Sequence, residues 1–196
     1  MPVDLDAAAA TLRDGELVVY PTETVYGLGA DALDPVAVER VFAAKDRPRE
    51  RPISLAAPTV EAALEHLRAD ELARTCMERF LPGPVTVVCR KADHVPEVLT
   101  AGRDRVGVRV PDHELALALL ERVEPLTATS ANVSGRPSVR EPGELDDRLR
   151  AAVAAVIDGG RTPGGGSTVV DPERGVIHRR GRAADGVEAW LAEQRA

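Results

Sequence analysis

The alternation of apolar and polar residues along the chain predicts helices and strands that follow one another from end to end. Short β-branched runs bounded by turn residues predict buried strands, and apolar residues spaced three or four apart predict helices with one buried face. The predicted helices are 4–13, 35–44, 59–67, 71–80, 114–123, 144–153 and 185–194. The predicted strands are 17–20, 53–56, 85–89, 106–110, 126–129, 155–157, 168–170 and 176–178.

This interleaving predicts an α/β fold. The last strands have no helix between them, so we expect part of a twisted, mixed sheet to be antiparallel. The chain has no internal repeat and no linker long enough to divide it, and we expect residues 1–196 to form a single domain.

Composition narrows the class of protein. A net charge of -7 argues against a protein whose whole surface binds nucleic acid, but not against a local basic pocket. An aromatic content of 3% counts against stacking on single strands. Lysine occurs only at Lys45 and Lys91. Cys76 and Cys89 fit no metal or disulfide pattern and are expected to be buried. Without a secretory signal or a bilayer-length apolar run, we expect a cytoplasmic protein that makes no membrane contact.

The first candidate segment, residues 21–30, follows a predicted strand, where ligands bind in open α/β sheets. It places Thr22, Thr24 and Tyr26 beside glycines that allow a ligand to approach the backbone. A plain turn is the alternative. The loose dinucleotide pattern beginning at Gly27 is set aside, because its glycines do not directly follow the strand.

Two further segments have polar side chains that could bind phosphate. Residues 45–52 hold four cations, which form either a phosphate clamp or a solvated charge run. Residues 127–138 hold hydroxyls and the Asn132 amide at the end of a strand. They could bind a nucleotide, or they could cap their own backbone.

Other enzyme classes find little support in the sequence. Neither lysine follows a glycine, so a Walker A loop is absent. The four histidines have no metal-ligand spacing, and no nucleophile elbow is present. His66 falls in a predicted helix and is expected at the surface or at an edge. The glycines at 164–166 and Arg179-Arg180 are not specific alone.

Taken in order, these segments resemble the YrdC/TsaC family of threonylcarbamoyl-AMP synthases. The strings that carry the resemblance are PTETVYGLGADA, KDRPRERPISL, PGPVTVV, VGVRVPDH, ATSANVSGRPS, IDGG, STVVD and RRG. They span the chain from Leu17 to about Gly181. The pairing of Lys45 and Arg47 with Ser130 and Asn132 is the family's nucleotide-site signature.

The resemblance implies a YrdC-like sheet with a large basic cavity. It also implies an L-threonylcarbamoyladenylate synthase, a nucleotidyltransferase that uses ATP, L-threonine and bicarbonate. The product would serve the N6-threonylcarbamoyladenosine modification of tRNA through a downstream threonylcarbamoyl transferase machinery. We expect this chain itself to bind RNA weakly or not at all. Mg²⁺ would arrive with ATP, held mainly by phosphates and water, and no protein metal site is expected.

The resemblance also assigns site residues. Lys45 and Arg47 would be catalytic. The ATP-binding residues would be Lys45, Arg47, Arg49, Ser130, Asn132, Ser138 and Arg180. The threonine-binding residues would be Thr22, Tyr26, Ser54, Arg109 and Thr168. Val25, Tyr26 and Leu28 are expected to form the wall that contacts the threonine methyl group.

The sequence departs from the family at one point. Many members carry a histidine shortly after the K-x-R-P motif, and this chain has none there, so Ser54 is expected to contribute instead. Longer members carry an additional C-terminal domain. Two alternative functions stay open, namely an RNA-binding module with this fold and a domain that processes carbamoyl-adenylates.

Overall fold

The computed structural model describes residues 4–195. Its helices are α1 Leu5–Arg13, α2 Pro35–Lys45, α3 Val60–Glu65, α4 Glu71–Phe80, α5 Glu97–Thr100, α6 Glu114–Leu120, α7 Asp147–Ala152 and α8 Ala184–Glu193. Its strands are β1 Val18–Tyr20, β2 Gly27–Gly29, β3 Ser54–Ala56, β4 Leu67–Arg68, β5 Val85–Lys91, β6 Arg105–Arg109, β7 Leu126–Ser130, β8 Ala155–Val156, β9 Thr168–Asp171 and β10 Val176–Arg179. A 3₁₀ turn covers Pro142–Glu144.

The strands form one mixed sheet in the order β10-β9-β5-β6-β3-β7-β2-β1-β8, and β4 pairs with β5. The pairs β1–β8, β3–β6 and β5–β9 are parallel. The terminal pair β9–β10 is antiparallel, which confirms the expectation from the helix-free end of the sequence. The α/β class and the mixed sheet are therefore confirmed.

Helix ends follow local chemistry. Asp34 caps α2 by accepting a hydrogen bond from the Val36 N–H at 2.9 Å, and Pro35 occupies the first turn. Asp70 caps α4 in the same way, accepting from the Ala73 N–H at 2.7 Å. At its other end α2 stops at Asp46, whose φ of 50° places it in the left-handed region.

The core lies on both faces of the sheet, but it covers one of them only in part. On β6, Val106 and Val108 belong to the main core, and alternation turns Arg105, Gly107 and Arg109 to the opposite face. On that second face a smaller cluster packs α1 and α6 over β1 and β7. The part of the face formed by β5, β6 and β9 carries Thr86, Arg105, Arg109 and Asp171 beside Val88 and Val169.

Several short elements differ from the prediction. Strands β2 and β4 and helix α5 were not predicted, and α6 ends at Leu120 rather than at residue 123. His66 was expected at the surface or at an edge, and its exposed fraction of 8% shows that it is not a surface residue. It is the C-cap of α3, directly before the short strand β4, and its Nδ1 lies 2.9 Å from Nε2 of His94.

Both cysteines are buried, as expected. Burial raises the pKa of the Cys76 thiol to about 12. No helix within residues 4–195 has the length and apolar character needed to span a membrane.

Candidate functional site

A cavity lies on the uncovered part of the sheet face, where β3, β6 and β7 meet the loop after β1. Its volume is about 80 Å³, so the large basic cavity expected from the sequence is not shown. Two larger openings flank it: one of about 810 Å³ beside Arg105 and one of about 480 Å³ beside Asn132 and Ser138. The polar side chains that line the cavity are Tyr20, Thr22, Thr24, Ser54, Thr86, Arg109, Thr129, Ser130, Ser167 and Arg179.

Arg109 ends β6 with its guanidinium directed to this cavity. Its Nη2 donates to Thr24 Oγ1 at 2.8 Å and lies 2.8 Å from Glu23 Oε1. Its buried Nε has no hydrogen-bond partner among residues 4–195. The contact with Glu23 is an ion pair without hydrogen-bond geometry, so neither carboxylate oxygen of Glu23 accepts a hydrogen bond from the described residues. An unpaired buried donor is costly, so Arg109 is suited to receive an acceptor such as a ligand carboxylate.

The hydroxyls of Thr22 and Thr24 support Arg109. Thr22 Oγ1 donates to the Val25 carbonyl at 2.6 Å and lies 3.0 Å from Thr24 Oγ1. Since the single Thr22 proton is used in this way, Thr24 must donate to Thr22 while it accepts from Arg109. The backbone N–H groups of Thr24 and Val25 also donate to Thr22. Thr22 is therefore at the cavity, but its hydroxyl is already saturated.

A second arginine approaches the cavity from β10. Arg179 Nη2 donates to Ser167 Oγ at 2.8 Å, and its Nε donates to the Ser167 carbonyl at 3.0 Å. Ser167 Oγ also lies 2.8 Å from Thr86 Oγ1. Loss of solvent and then the charge of Arg109 lower the pKa of Arg179. Two cations that face one cavity favour an anionic ligand.

Lys45 is not in the solvent-facing position that a phosphate clamp implies, because its exposed fraction is 1%. It ends α2, where its Nζ donates to the Asn132 carbonyl at 2.7 Å and also to the Ser130 carbonyl. Burial, followed by repulsion from Arg47, lowers the pKa of Lys45 to about 7.

Arg47 is half-buried in the turn after α2. It donates to the carbonyls of Arg51 at 3.0 Å and Pro52 at 2.9 Å. Burial lowers its pKa, and the charges of Arg51 and Arg179 lower it further. Arg47, Arg51 and Arg179 thus form a cationic cluster that would be stabilised by an anion.

The predicted residues of the loop after β7 are arranged around Asn132. Ser130 Oγ donates to Asn132 Oδ1, and Asn132 Nδ2 donates to the carbonyls of Val133 at 2.9 Å and Arg136 at 2.8 Å. Ser130 lines the cavity, whereas Asn132 and the exposed Ser138 line the adjacent 480 Å³ opening.

Two predicted threonine-binding residues support loops instead of lining the cavity. The Tyr26 hydroxyl donates to the Gly160 carbonyl at 2.7 Å and accepts from the Gly159 N–H at 3.0 Å. Thr168 Oγ1 accepts from the N–H groups of Gly181 and Ala183, each at 3.2 Å. Leu28 and Tyr26 are core residues, so Val25 is the predicted wall residue that lines the cavity.

The structure directs two predicted ATP-binding arginines away from the cavity. Arg49 pairs with Glu39 and lies 5.3 Å from the centre of the Phe42 ring. Arg180 pairs with Asp185 at 2.8 Å and with Glu188 at 3.0 Å. Carboxylates of neighbouring helices attract both side chains, and Arg179 takes the place at the cavity that was assigned to Arg180.

Thr86, Ser167 and Arg179 line the cavity and were not assigned to it from the sequence. Thr24 also lines it; the sequence named Thr24 as a candidate of segment 21–30 but gave it no role in substrate binding. No local signal marks Thr86 or Ser167, because a single hydroxyl in a strand is common. Within residues 4–195 no three His, Cys, Asp or Glu side chains are grouped in a way that could hold a metal ion.

Comparison with known proteins identifies relatives over most of the chain. The sequence model of the Sua5/YciO/YrdC family, described as "Telomere recombination", matches residues 10–181. The chain is 46% identical over 168 residues to a threonylcarbamoyl-AMP synthase of Pyrococcus abyssi, covering 84% of this chain and 49% of that protein.

Two solved structures have the same fold. A crystal structure of P. abyssi Sua5 complexed with L-threonine is 42% identical with a TM-score of 0.84, covering 90% of this chain and 54% of that one. The structure of E. coli YciO is 30% identical with a TM-score of 0.83, covering 90% of this chain and 88% of that one. The chain spans about half the length of the P. abyssi proteins that it matches. With the family match extending over residues 10–181, the chain belongs to the Sua5/YciO/YrdC family.

Proposed function

We propose that the protein is an L-threonylcarbamoyladenylate synthase, a nucleotidyltransferase. It would convert L-threonine, bicarbonate and ATP into threonylcarbamoyl-AMP, pyrophosphate and water. The observation that carries the proposal is the Arg109 guanidinium, held at a hydroxyl-lined cavity with its buried Nε unpartnered among the described residues. The P. abyssi relative named threonylcarbamoyl-AMP synthase and the Sua5 complex with L-threonine support it.

At the amino-acid end, Arg109 would bind the substrate carboxylate. Ser54 would face the threonine side chain from β3, and Val25 would contact its methyl group, since both line the cavity. We assign Thr22 and Thr24 to the support of Arg109 through their hydrogen-bonded hydroxyls. Tyr26 and Thr168 would act on the site only through the loops that they hold.

At the nucleotide end, Arg47 would neutralise phosphate charge together with Arg179. Ser130, Asn132 and Ser138 would line the path of the nucleotide, because they extend from the cavity into the adjoining opening. We expect Mg²⁺ to arrive with ATP, and the hydroxyls and arginines of this region offer it no carboxylate cage. The assignment of Arg49 and Arg180 to ATP would require both to leave their ion pairs.

Nucleotidyl transfer requires these residues to position the substrates and to neutralise charge, and it requires no protein nucleophile. The threonine amine takes up bicarbonate-derived CO₂, and the carbamate oxygen attacks the α-phosphorus of ATP as pyrophosphate leaves. Holding the carbamate and the phosphorus in contact lowers the entropic cost. Arginines aimed at the phosphates stabilise the charge that builds up in the transition state. The product would pass, in the cytoplasm, to the machinery that modifies tRNA.

The test is a product analysis by mass spectrometry together with pyrophosphate release. We expect release only when ATP, bicarbonate and L-threonine are all present, and we expect a product with the mass of threonylcarbamoyl-AMP. Arg109→Lys should raise the KM for threonine about 10- to 100-fold by loss of charge-assisted hydrogen bonds. Arg40→Lys, in an exposed pair with Glu16, serves as the matched control.

Equal pyrophosphate release without threonine would contradict the proposal. Release with carbamoyl phosphate in place of threonine would favour the carbamoyl-adenylate alternative.

A further inference from the structure

Lys45 is joined to the loop after β7 by three hydrogen bonds. Its Nζ donates to the carbonyls of Ser130 and Asn132, the latter at 2.7 Å. In return, the Ser134 N–H donates to the Lys45 carbonyl at 2.8 Å. One residue at the end of α2 therefore holds both ends of segment 130–134.

The same segment presents the side chains proposed to meet the nucleotide. Ser130 lines the cavity and Asn132 lines the neighbouring opening. Their side chains bond each other, and the Asn132 amide also bonds the Val133 and Arg136 carbonyls. The positions of these groups thus depend on the path of the backbone that Lys45 holds.

Lys45 itself is poorly placed to meet a phosphate. It is 1% exposed and lines neither the cavity nor the two openings beside it. Its ammonium group has backbone carbonyls as partners. Burial lowers its pKa to about 7, in agreement with an amine that no carboxylate stabilises in its charged form.

We propose that Lys45 is a positioning residue that acts on the nucleotide through the loop 130–134 and not by contact with the phosphates. The expected effect on ATP binding rests on the proposed function. The hydrogen bonds between Lys45 and segment 130–134 are already present in the protein without substrate. Lys45 and the Ser130/Asn132 pair then form one structural unit, although 84 residues of chain lie between Lys45 and Ser130.

The experiment measures amide hydrogen exchange by mass spectrometry in the protein without nucleotide. Lys45→Met is compared with wild type and with Arg47→Met, since Arg47 bonds the carbonyls of Arg51 and Pro52 and not this loop. We expect exchange in 130–136 to become at least about tenfold faster in Lys45→Met. In Arg47→Met we expect it to change less than about twofold.

Calorimetric titration with ATP supplies the second readout. Both variants should bind ATP at least about tenfold more weakly, but only Lys45→Met should combine this with the faster exchange. Lys45→Gln keeps an uncharged N–H donor, and it replaces Lys45→Met if that variant does not fold.

Unchanged exchange in 130–136 in the Lys45 variants, with weakened ATP binding, would establish direct phosphate contact and overturn the inference. Unchanged ATP binding would overturn it as well. If wild type yields no threonylcarbamoyl-AMP, the proposed function fails, while the exchange result still decides whether Lys45 positions the loop.

Discussion

A lysine amine buried without a carboxylate partner makes the stability of the protein depend on pH. The folded protein holds Lys45 with a pKa of about 7, because burial disfavours the charged form. In the unfolded chain the amine keeps its proton up to about pH 10.4. Above pH 7 the unfolded chain therefore binds more protons at this site than the folded protein does, so stability rises with pH.

We predict that Lys45→Met removes this contribution. In wild type the site should add up to about 1.4 kcal/mol per pH unit to the free energy of unfolding between about pH 7 and 8.5. Urea unfolding at the two ends of this window measures the slope. Above it the buried Cys76 thiol, with its raised pKa, acts in the opposite direction. Parallel stability curves for variant and wild type would show that Lys45 stays charged in the fold.

Val25 is predicted to set the preference for threonine over serine. The two substrates differ by one methyl group, and an apolar contact with it allows a discrimination of roughly 10- to 200-fold. Since Val25 lines the cavity, Val25→Ala should reduce the ratio of kcat/KM values to below about tenfold. Steady-state kinetics with both amino acids measure this ratio.

The control for Val25 is Val36→Ala on α2, where the side chain is 61% exposed. An unchanged ratio in Val25→Ala would remove Val25 from the wall. Valine tests the hydroxyl contact, because it leaves a buried polar partner unpaired and should react more slowly than serine. Faster reaction of valine than of serine would mean that the cavity selects by shape alone.

At the residue scale, motifs in the sequence identified several residues that line the cavity. The sequence did not identify those whose side chains reach the cavity only because of strand register. Arg109 and Ser130 were assigned through their motifs and do line the cavity. Arg179 and Arg180 cannot be told apart in the sequence, because neighbouring strand residues face opposite sides. The register between β10 and β9 shifts between Ile177 and Arg179, and such an irregularity is not encoded in any local pattern.

At the scale of elements, the packing of β3, β5 and β6 at the cavity requires a glycine on β6. Gly107 lies on β6 between the side chains of Ser54 on β3 and Thr86 on β5. A Cβ atom there would stand 2.9 Å from Thr86 Cγ2 and closer still to Ser54 Oγ. Because these three strands are hydrogen-bonded neighbours, none can retreat without loss of pairing.

We predict that Gly107→Ala lowers the free energy of unfolding by about 1–3 kcal/mol through overpacking. It should also impair threonine binding, since Ser54 and Thr86 both line the cavity. Urea unfolding and the KM for threonine measure the two effects. Gly143→Ala is the matched control, because a Cβ there meets no atom within 4 Å. Equal stability of the two variants would mean that β3 and β5 can move to accommodate the added methyl group at little energetic cost.

Strands rich in β-branched residues were predicted correctly. A strand in which tertiary packing requires glycine was missed. The β5 and β6 strands were predicted from their valines. Strand β2 was not, because two of its three residues are Gly27 and Gly29, which have low strand propensity. The Tyr20 ring lies against both glycines, 3.0 Å from where each Cβ would be. That ring crosses from the neighbouring strand, so the reason for the glycines is a tertiary contact.

At the scale of the whole molecule, many of the exposed arginines are paired with carboxylates. The formal net charge is -7, although the chain has 25 lysines and arginines. Exposed arginines in several regions have carboxylate partners on their own or neighbouring elements. These pairs include Arg40–Glu16, Arg49–Glu39, Arg68–Asp93, Arg136–Asp146, Arg161–Glu141 and Arg180–Asp185.

This arrangement predicts weak binding to RNA in the absence of ATP. A phosphate would have to displace a carboxylate from each paired arginine, so few counterions would be released. We expect a slope of log K against log salt shallower than about −2, since each phosphate contact contributes about −0.7 to −0.9. Fluorescence anisotropy with a labelled tRNA stem-loop across a salt series measures the slope.

The Arg161 cluster offers a direct test of that reasoning. Arg161 lies 2.6 Å from Glu141 and 3.6 Å from Glu144, at one edge of the opening that holds Asn132. If paired carboxylates are what prevent RNA binding, Glu141→Gln with Glu144→Gln should free Arg161 and steepen the slope by about one phosphate contact. Wild type with a slope near −6 and micromolar affinity would instead favour an RNA-binding module, because several arginines would then have to exchange their carboxylates for phosphates without help from ATP.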